Sequence, residues 1–355
     1  LSESDFYIIG AGPAGVSLAY FLSQKGFNVE LFEARPRVGE KPCGGGVPIE
    51  INQWFPVPEE SIINKISTLE MYYNDRELGS WSANRVIFLL VDRTKYLESY
   101  INEDGIKLHL SKTVKVHDNN EFVVDGRKLD PSKVIIATGS VWRLQEREML
   151  AHTLQYIIED VHIEDPDAMK FFFYENLVGY AWLFPLGRDK VKVGIGSINK
   201  SINEMENLLN EIIIKHNLKG NIIKKEGAPI DMGGLKPEWG GGPPYAVGEA
   251  IGAVMPITGE GIRPSIITSH TLVEALVSSK DYKKLLQGLT IYKASRLQRK
   301  MLEKVLKHNE KLDLHTDHLS SKTIQLIYKL GMGEIGFKDL LTLATKLPWL
   351  LKGLI

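Results

Sequence analysis

Residues 6–15 read Phe6-Tyr7-Ile8-Ile9-Gly10-Ala11-Gly12-Pro13-Ala14-Gly15. Phe6 to Ile9 is an apolar run long enough for one buried parallel strand. Gly10, Gly12 and Gly15 follow with the spacing G-x-G-x-x-G. Val16 to Lys25 then puts Val16, Ala19, Tyr20 and Leu22 on one helical face, and Gly26 closes the helix. A second apolar strand, Val29 to Phe32, ends at Glu33. In this setting Gly10 permits the tight strand-to-helix turn, Gly12 lets a pyrophosphate approach the backbone, and Gly15 lets helix and strand pack closely. The helix N-terminus aims unpaired N–H groups at the phosphates, and an acid at Glu33 binds ribose hydroxyls. The unit predicts an adenine dinucleotide site, with FAD and NAD both open at this point.

Composition narrows the class. A chain of 355 residues accommodates two domains or one elaborated domain. Its 43% hydrophobic and 25% charged residues are those of an ordinary globular protein. A net charge of −1 gives no case for nucleic acid, which wants a basic surface. Cys43 is the single cysteine, which excludes an intrachain disulfide and a multi-cysteine zinc site. No leader is visible before the first strand, so the cytoplasm is the default compartment. No apolar run reaches the ~18–20 residues of a membrane span.

Further along, residues 34–48 form a loop rich in Gly and Pro, with Gly44 to Gly46 consecutive and Cys43 immediately before them. Three glycines let the backbone approach something flat, and a lone thiol beside them is a candidate site residue. Ile66 to Tyr73 and Arg85 to Val91 read as strands, with a turn at Asn74–Asp75. Arg93 starts a short helix, where a guanidinium serves either a surface ion pair or a phosphate or ribose contact. A meander follows at Val114–Val116 and Phe122–Val124, then a buried strand, Val134–Ala137, ending at Thr138–Gly139. This order suits an FAD-binding domain better than a plain NAD domain. Residues 151–197 read as strands of a second sheet, and Ile202 to His216 as an amphipathic helix. Near residue 260 a helix begins whose N-terminus carries Gly259 and Gly261, able to aim its dipole at a flavin ring. From about Asp281 the chain is helical, and the apolar stretch Leu340 to Ile355 reads as a core cap or channel lining in preference to a membrane contact.

Four pieces together resemble the geranylgeranyl reductase family, within the p-hydroxybenzoate-hydroxylase-like flavoproteins. They are Gly10–Gly15 with Glu33; Lys41-Pro42-Cys43-Gly44-Gly45-Gly46, similar to K-x-C-G-G-G; Tyr180, Trp182, Phe184 and Pro185 followed by Gly194 and Gly196, similar to Y-x-W-x-F-P then G-x-G; and Gly248-Glu249-Ala250 with Pro256–Ile262. The resemblance implies FAD, with contacts at Ala14, Gly15, Glu33, Gly44, Gly45, Val47, Arg93, Val114, Glu249, Gly261 and Ile262. Gly10, Gly12, Gly139 and Gly259 complete the implied cofactor set. One position departs: the family usually has Asp after Gly248, and this chain has Glu249, whose extra methylene needs room.

The resemblance also implies an α/β architecture, α+β overall. A Rossmann-like FAD domain spans 1–145 and 240–280. An inserted antiparallel-sheet substrate domain spans 60–92 and 146–239, and a short C-terminal helical region spans 281–355. The implied reaction is reduction of isolated C=C bonds in a prenyl chain. Trp182 and Phe184 would line the isoprenoid pocket, although alternation alone is equally satisfied by sheet packing. An isolated alkene accepts hydride poorly, so a proton must reach the second carbon. Cys43 is the first candidate for shaping that step, directly or by gating the flavin, and Tyr180 the second; a small packing residue is the plain reading of Cys43.

Three carriers of the prenyl chain fit, namely an archaeal ether lipid, a free diphosphate and a prenyl quinone. NAD(P)H and a ferredoxin-like protein both fit as electron donor, and peripheral membrane contact is compatible with the apolar C-terminus. Two other functions share these features: a flavin monooxygenase or halogenase, and a non-catalytic prenyl-lipid-binding flavoprotein. His315 and His318 make too small a set for a metal site and read as a solvated helix face.

Overall fold

The computed structural model describes residues 4–117, 121–308 and 318–346. Five parallel strands form the first sheet, in the order 245–246, 134–136, 6–9, 29–32, 106–109. Ile8 sits between Leu31 and Ile135 in register, so the central strand is buried on both sides. Helix α1, Pro13–Ser23, returns from strand 6–9 to strand 29–32. The close approach needs two of the glycines. Gly10 has φ +102, and a Cβ on Gly15 would fall 1.8 Å from the Gly10 carbonyl oxygen. A short antiparallel meander, 115–117, 121–124 and 127–129, leads into strand 134–136. Helix α2, Arg93–Glu98, is capped by the Asp92 carboxylate, which accepts from the Thr94 and Lys95 amides.

The second sheet has eight strands among the described residues. Its main path runs 221–226, 150–159, 190–197, 179–185, 168–173, 68–73, 76–82, and strand 229–231 pairs with 150–159. It departs from the all-antiparallel expectation at one junction, where Ala168–Phe173 runs parallel to Thr68–Tyr73. The Asn74–Asp75 turn is where the sequence puts it, with φ +46 and +65, and it leads into a further strand, Arg76–Ser82, beyond those read from the sequence. Helix α3, Ile202–Lys215, packs on this sheet and starts with a capping box between Ser201 and Glu204.

A third, small sheet joins 46–48, 88–91 and 62–66 and forms the seam between the two cores. Leu89 and Val91 belong to the nucleotide-domain core, while Phe88 and Leu90 point into the core under the large sheet. Alternation along one strand thus holds the domains together.

Helix α4, Ile262–Ser278, packs against α1, and the Ser269 hydroxyl donates to the Ala14 carbonyl at 2.8 Å. Helices α5 (Tyr282–Gly288), α6 (Thr290–His308), α7 (Ser321–Gly331) and α8 (Phe337–Lys346) complete the described chain. They are no separate appendage. Leu319, Ile324, Leu326 and Leu330 are buried in the core of the large sheet, and the Leu319 amide donates to the Leu78 carbonyl at 2.6 Å. Leu343 of α8 is fully buried, as a core cap requires; residues 347–355 of the apolar C-terminus, and His315, lie outside the described residues. Among the described residues no helix is long and apolar enough to cross a membrane.

Candidate active site

One cavity of about 940 Å³ runs from the first glycine motif to the aromatic strand 179–185. At its polar end Gly10, Gly12 and Ala14 form the wall. A Cβ on Gly12 would meet nothing within 4 Å, so the missing side chain opens cavity space where a pyrophosphate has to come close. No side chain caps the N-terminus of α1, which leaves its first N–H groups for a ligand. Glu33 is fixed by two backbone donors, Ala11 N–H at 2.8 Å and Arg35 N–H at 2.9 Å. Each carboxylate oxygen keeps a lone pair for a ribose hydroxyl. These residues fit the adenosine and pyrophosphate half of FAD.

Arg93 lines the same cavity but uses Nε and Nη2 to hold the Gly39 carbonyl, at 2.9 and 2.6 Å. It therefore shapes the loop that carries Lys41 and Cys43. Glu249 is similarly engaged. Oε2 accepts from Lys41 Nζ at 2.8 Å and Oε1 from the Asp231 amide at 3.1 Å. The extra methylene of Glu over Asp is accommodated by this reach, which ties the two cofactor loops together. Beneath it Arg147 and Asp231 form a fully buried ion pair. Arg147 also donates to the carbonyls of Trp142, Glu249 and Ala250, so one guanidinium locks three chain segments.

The other end of the cavity is apolar. Trp182 and Phe184 stand on the strand next to Lys190–Ser197, and Trp182 is paired in register with Gly194 and Tyr180 with Gly196. A Cβ on Gly194 would lie 2.2 Å from Trp182 Cζ2 and 2.8 Å from Gln155 Cβ. The G-x-G sequence is thus the floor on which the indole lies. Gly44 and Gly46 crowd Phe184, an added Cβ falling within 3.0 and 3.7 Å of its Cε2. Met71, Leu78, Met169, Phe171 and Leu330 extend this chamber. Two buried atoms in its wall, Trp182 Nε1 and Gln155 Oε1, have no partner among the described residues. A ligand or ordered water must satisfy them. Tyr180 donates its hydroxyl to the Thr258 carbonyl, which fastens the sheet to the loop before α4.

Cys43 lies where the polar and apolar ends meet. Burial pushes the thiol up, but the charge of Arg93, the Gly45 N–H at 3.4 Å, and the charges of Lys192 and Lys41 bring it below its ordinary value. Lys192 is buried, and its Nζ donates to the carbonyls of Cys43 and Gly44 at 3.0 and 3.1 Å. Burial holds this ammonium below its usual range. Gln155 Nε2 adds a second bond to the Cys43 carbonyl, at 3.1 Å. The phenol of Tyr180 is pushed up by burial and by Cys43.

The structure brings Cys43, Gly44, Gly45, Tyr180, Trp182, Phe184, Val114, Gly139, Gly259, Gly261 and Ile262 to one cavity wall with the first motif. Two of the implied cofactor residues stand back from it. Gly15 is consumed by packing on Gly10, and the Val47 side chain is fully buried in the nucleotide-domain core. Sequence reading missed Lys192, Gln155 and Arg147. The signal for Lys192 was a lysine sharing its strand face with Gly194 and Gly196 in an otherwise apolar run; Gln155 and Arg147 carried none. No cluster of three or more metal-ligating side chains occurs among the described residues.

Residues 4–167 match the family described as pyridine nucleotide-disulphide oxidoreductase, and residues 150–230 match the geranylgeranyl reductase catalytic domain. The digeranylgeranylglycerophospholipid reductase of Thermoplasma acidophilum is 26% identical, over 99% of this chain and 98% of its own. The geranylgeranyl diphosphate reductase of Rhodobacter capsulatus is 26% identical over 73% of this chain and 71% of its own. A solved geranylgeranyl bacteriochlorophyll reductase-like protein from Thermoplasma acidophilum superposes with a TM-score of 0.79 at 22% identity, covering 99% of this chain and 98% of that one. At that identity the likeness concerns the fold.

Proposed function

We propose that this chain, a member of the geranylgeranyl reductase family of FAD-dependent oxidoreductases, hydrogenates isolated C=C bonds in the prenyl chains of a lipid. The observation that carries the reading is one continuous cavity of about 940 Å³ that joins a dinucleotide cradle to a chamber lined by apolar and aromatic side chains. FAD, when bound and first reduced by the electron donor, would supply the hydride equivalent and return to its oxidised form. The rest falls to the chain's own residues. Trp182, Phe184, Met169 and Phe171 take an alkyl chain out of water and hold it beside the Cys43 loop. Lys192 and Gln155 fix the Cys43 and Gly44 carbonyls, and so the position of that loop. Cys43 is the group placed to manage a proton at the alkene, its thiol held below its ordinary value by the cations around it. Tyr180, committed to the Thr258 carbonyl, positions the aromatic wall.

The relatives named for a phospholipid and for a diphosphate support geranylgeranyl chains as the substrate class, and we take an archaeal phospholipid as first choice. The test is anaerobic turnover of the chemically reduced holoprotein with a geranylgeranyl glycerophospholipid, geranylgeranyl diphosphate and a prenyl quinone in parallel. Mass spectrometry should show pairs of hydrogens added to the phospholipid chains. Unchanged lipids, with a hydroxylated or halogenated product appearing on admission of air, would overturn the reading.

A further inference from the structure

Helix α6 reads TIYKASRLQRKMLEKVLKH from Thr290 to His308. At about 100° per residue, Lys293, Arg296, Lys300, Lys304 and Lys307 fall within an arc of about 80° and span about 21 Å of the helix. Ile291, Gln298 and Met301 are buried, and the apolar half of the wheel, with Leu302 and Val305, faces the protein. Lys293, Arg296, Lys300 and Lys307 are exposed. None of the five cations has an acidic partner among the described residues. The only carboxylate on the helix, Glu303, lies at the edge of the stripe and pairs with Arg299 at 2.7 Å. Nearby Glu148 is likewise taken by Arg299, at 3.3 Å. Like charges one turn apart on a helix destabilise it slightly, and of the five cations only Arg296 packs on a ring among the described residues, its guanidinium lying 5.8 Å from the centre of the Tyr292 ring.

The stripe is joined to the active-site cavity at one residue. Lys304 belongs to the row of cations and also lines the cavity, beside Leu302 and Val305. A surface that attracts anions thus borders, at Lys304, the wall of the apolar chamber. We infer that α6 is the docking surface for an anionic bilayer, its lysines lying against lipid phosphates and Lys304 marking the cavity mouth at headgroup level. A substrate whose prenyl chains keep it in the membrane then enters the chamber without crossing water. This inference rests on the prenyl-lipid reading above and adds the place of delivery to it. An acidic redox protein is the competing occupant of a cationic stripe; the shared residue at the lipid-binding chamber favours the membrane.

The test uses the FAD-loaded protein and two vesicle preparations, phosphatidylcholine alone and phosphatidylcholine with phosphatidylglycerol. Sedimentation should show binding to the anionic vesicles only, lost as salt rises to about 0.5 M because the Debye length shrinks. The double variant K293E/K300E, which leaves the cavity wall untouched, should bind those vesicles at least about tenfold more weakly. The same variant should reduce detergent-solubilised prenyl lipid at the wild-type rate, a readout that separates failure of docking from failure of the reductase reading. Equal binding to neutral vesicles, unchanged binding by K293E/K300E, or a variant defect only in electron delivery from an acidic donor protein would each overturn the inference.

Discussion

The indole of Trp182 fills the place where Gly194 would carry a side chain: that point lies 2.2 Å from Cζ2 and 2.4 Å from Cε2. The two residues are cross-strand partners. The aromatic motif and the glycine motif are therefore one structural object, a flat ring laid on a bare stretch of sheet. Gly194→Ala should cost about 1–3 kcal/mol through overpacking. Trp182→Ala in the same chain should recover part of that loss, because the two sites are in contact. Urea unfolding of the two single variants and the double variant measures this coupling; strict additivity would refute it.

Cys43 offers a pH readout that a chain with one cysteine makes clean. An acid whose folded value lies below its ordinary one carries charge at lower pH. The rate of Cys43 alkylation in FAD-free protein should therefore reach half-maximum at a lower pH than that of a cysteine in an unfolded peptide measured alongside. Lys192→Met removes one of the cations responsible and should move that midpoint upward. A wild-type midpoint at or above the ordinary value would show that burial wins at this site.

Glu33→Ala removes the carboxylate that two backbone amides hold in place. Hydrogen bonds to a charged group contribute about 1.5–3 kcal/mol each, so FAD affinity should fall on the order of 10- to 100-fold. Fluorescence titration with FAD measures it. An unchanged dissociation constant would place the adenosine ribose elsewhere.

Arg147→Met leaves Asp231 charged and fully buried without its partner, which should destabilise the fold by about 3–5 kcal/mol. Arg147→Met with Asp231→Leu should recover much of it, since no lone charge remains inside. Calorimetry or urea unfolding of the pair decides this; a single variant as stable as wild type would mean that the ion pair does not lock the three segments.

The nucleotide-binding unit was legible because local chemistry dictates it. Gly10 needs a positive φ and Gly15 a bare Cα, and both demands come from neighbours a few residues away in sequence or on the adjoining strand. The aromatic strand was legible as a motif, but its purpose was not, because the glycine that makes room for Trp182 belongs to another strand. Lys192, Gln155 and Arg147 were invisible for the same reason. Their partners are carbonyls of Cys43, Gly44, Trp142 and Glu249, brought to them only by the packing of two domains. Glu249 reads in the sequence as a lengthened cofactor ligand, and in the fold its carboxylate accepts from Lys41 and from the Asp231 amide. The parallel junction between 68–73 and 168–173 likewise depends on a contact some hundred residues long in sequence, which no local periodicity encodes.

The most direct measurement is a single anaerobic turnover. The holoprotein is reduced to the end point, excess donor is removed, and a geranylgeranyl glycerophospholipid is added without oxygen while flavin absorbance and lipid mass are followed together. The account predicts that the oxidised flavin spectrum returns and that each equivalent regained matches one pair of hydrogens on a prenyl chain. Flavin that stays reduced beside unaltered lipid, and reoxidises only in air, would contradict it.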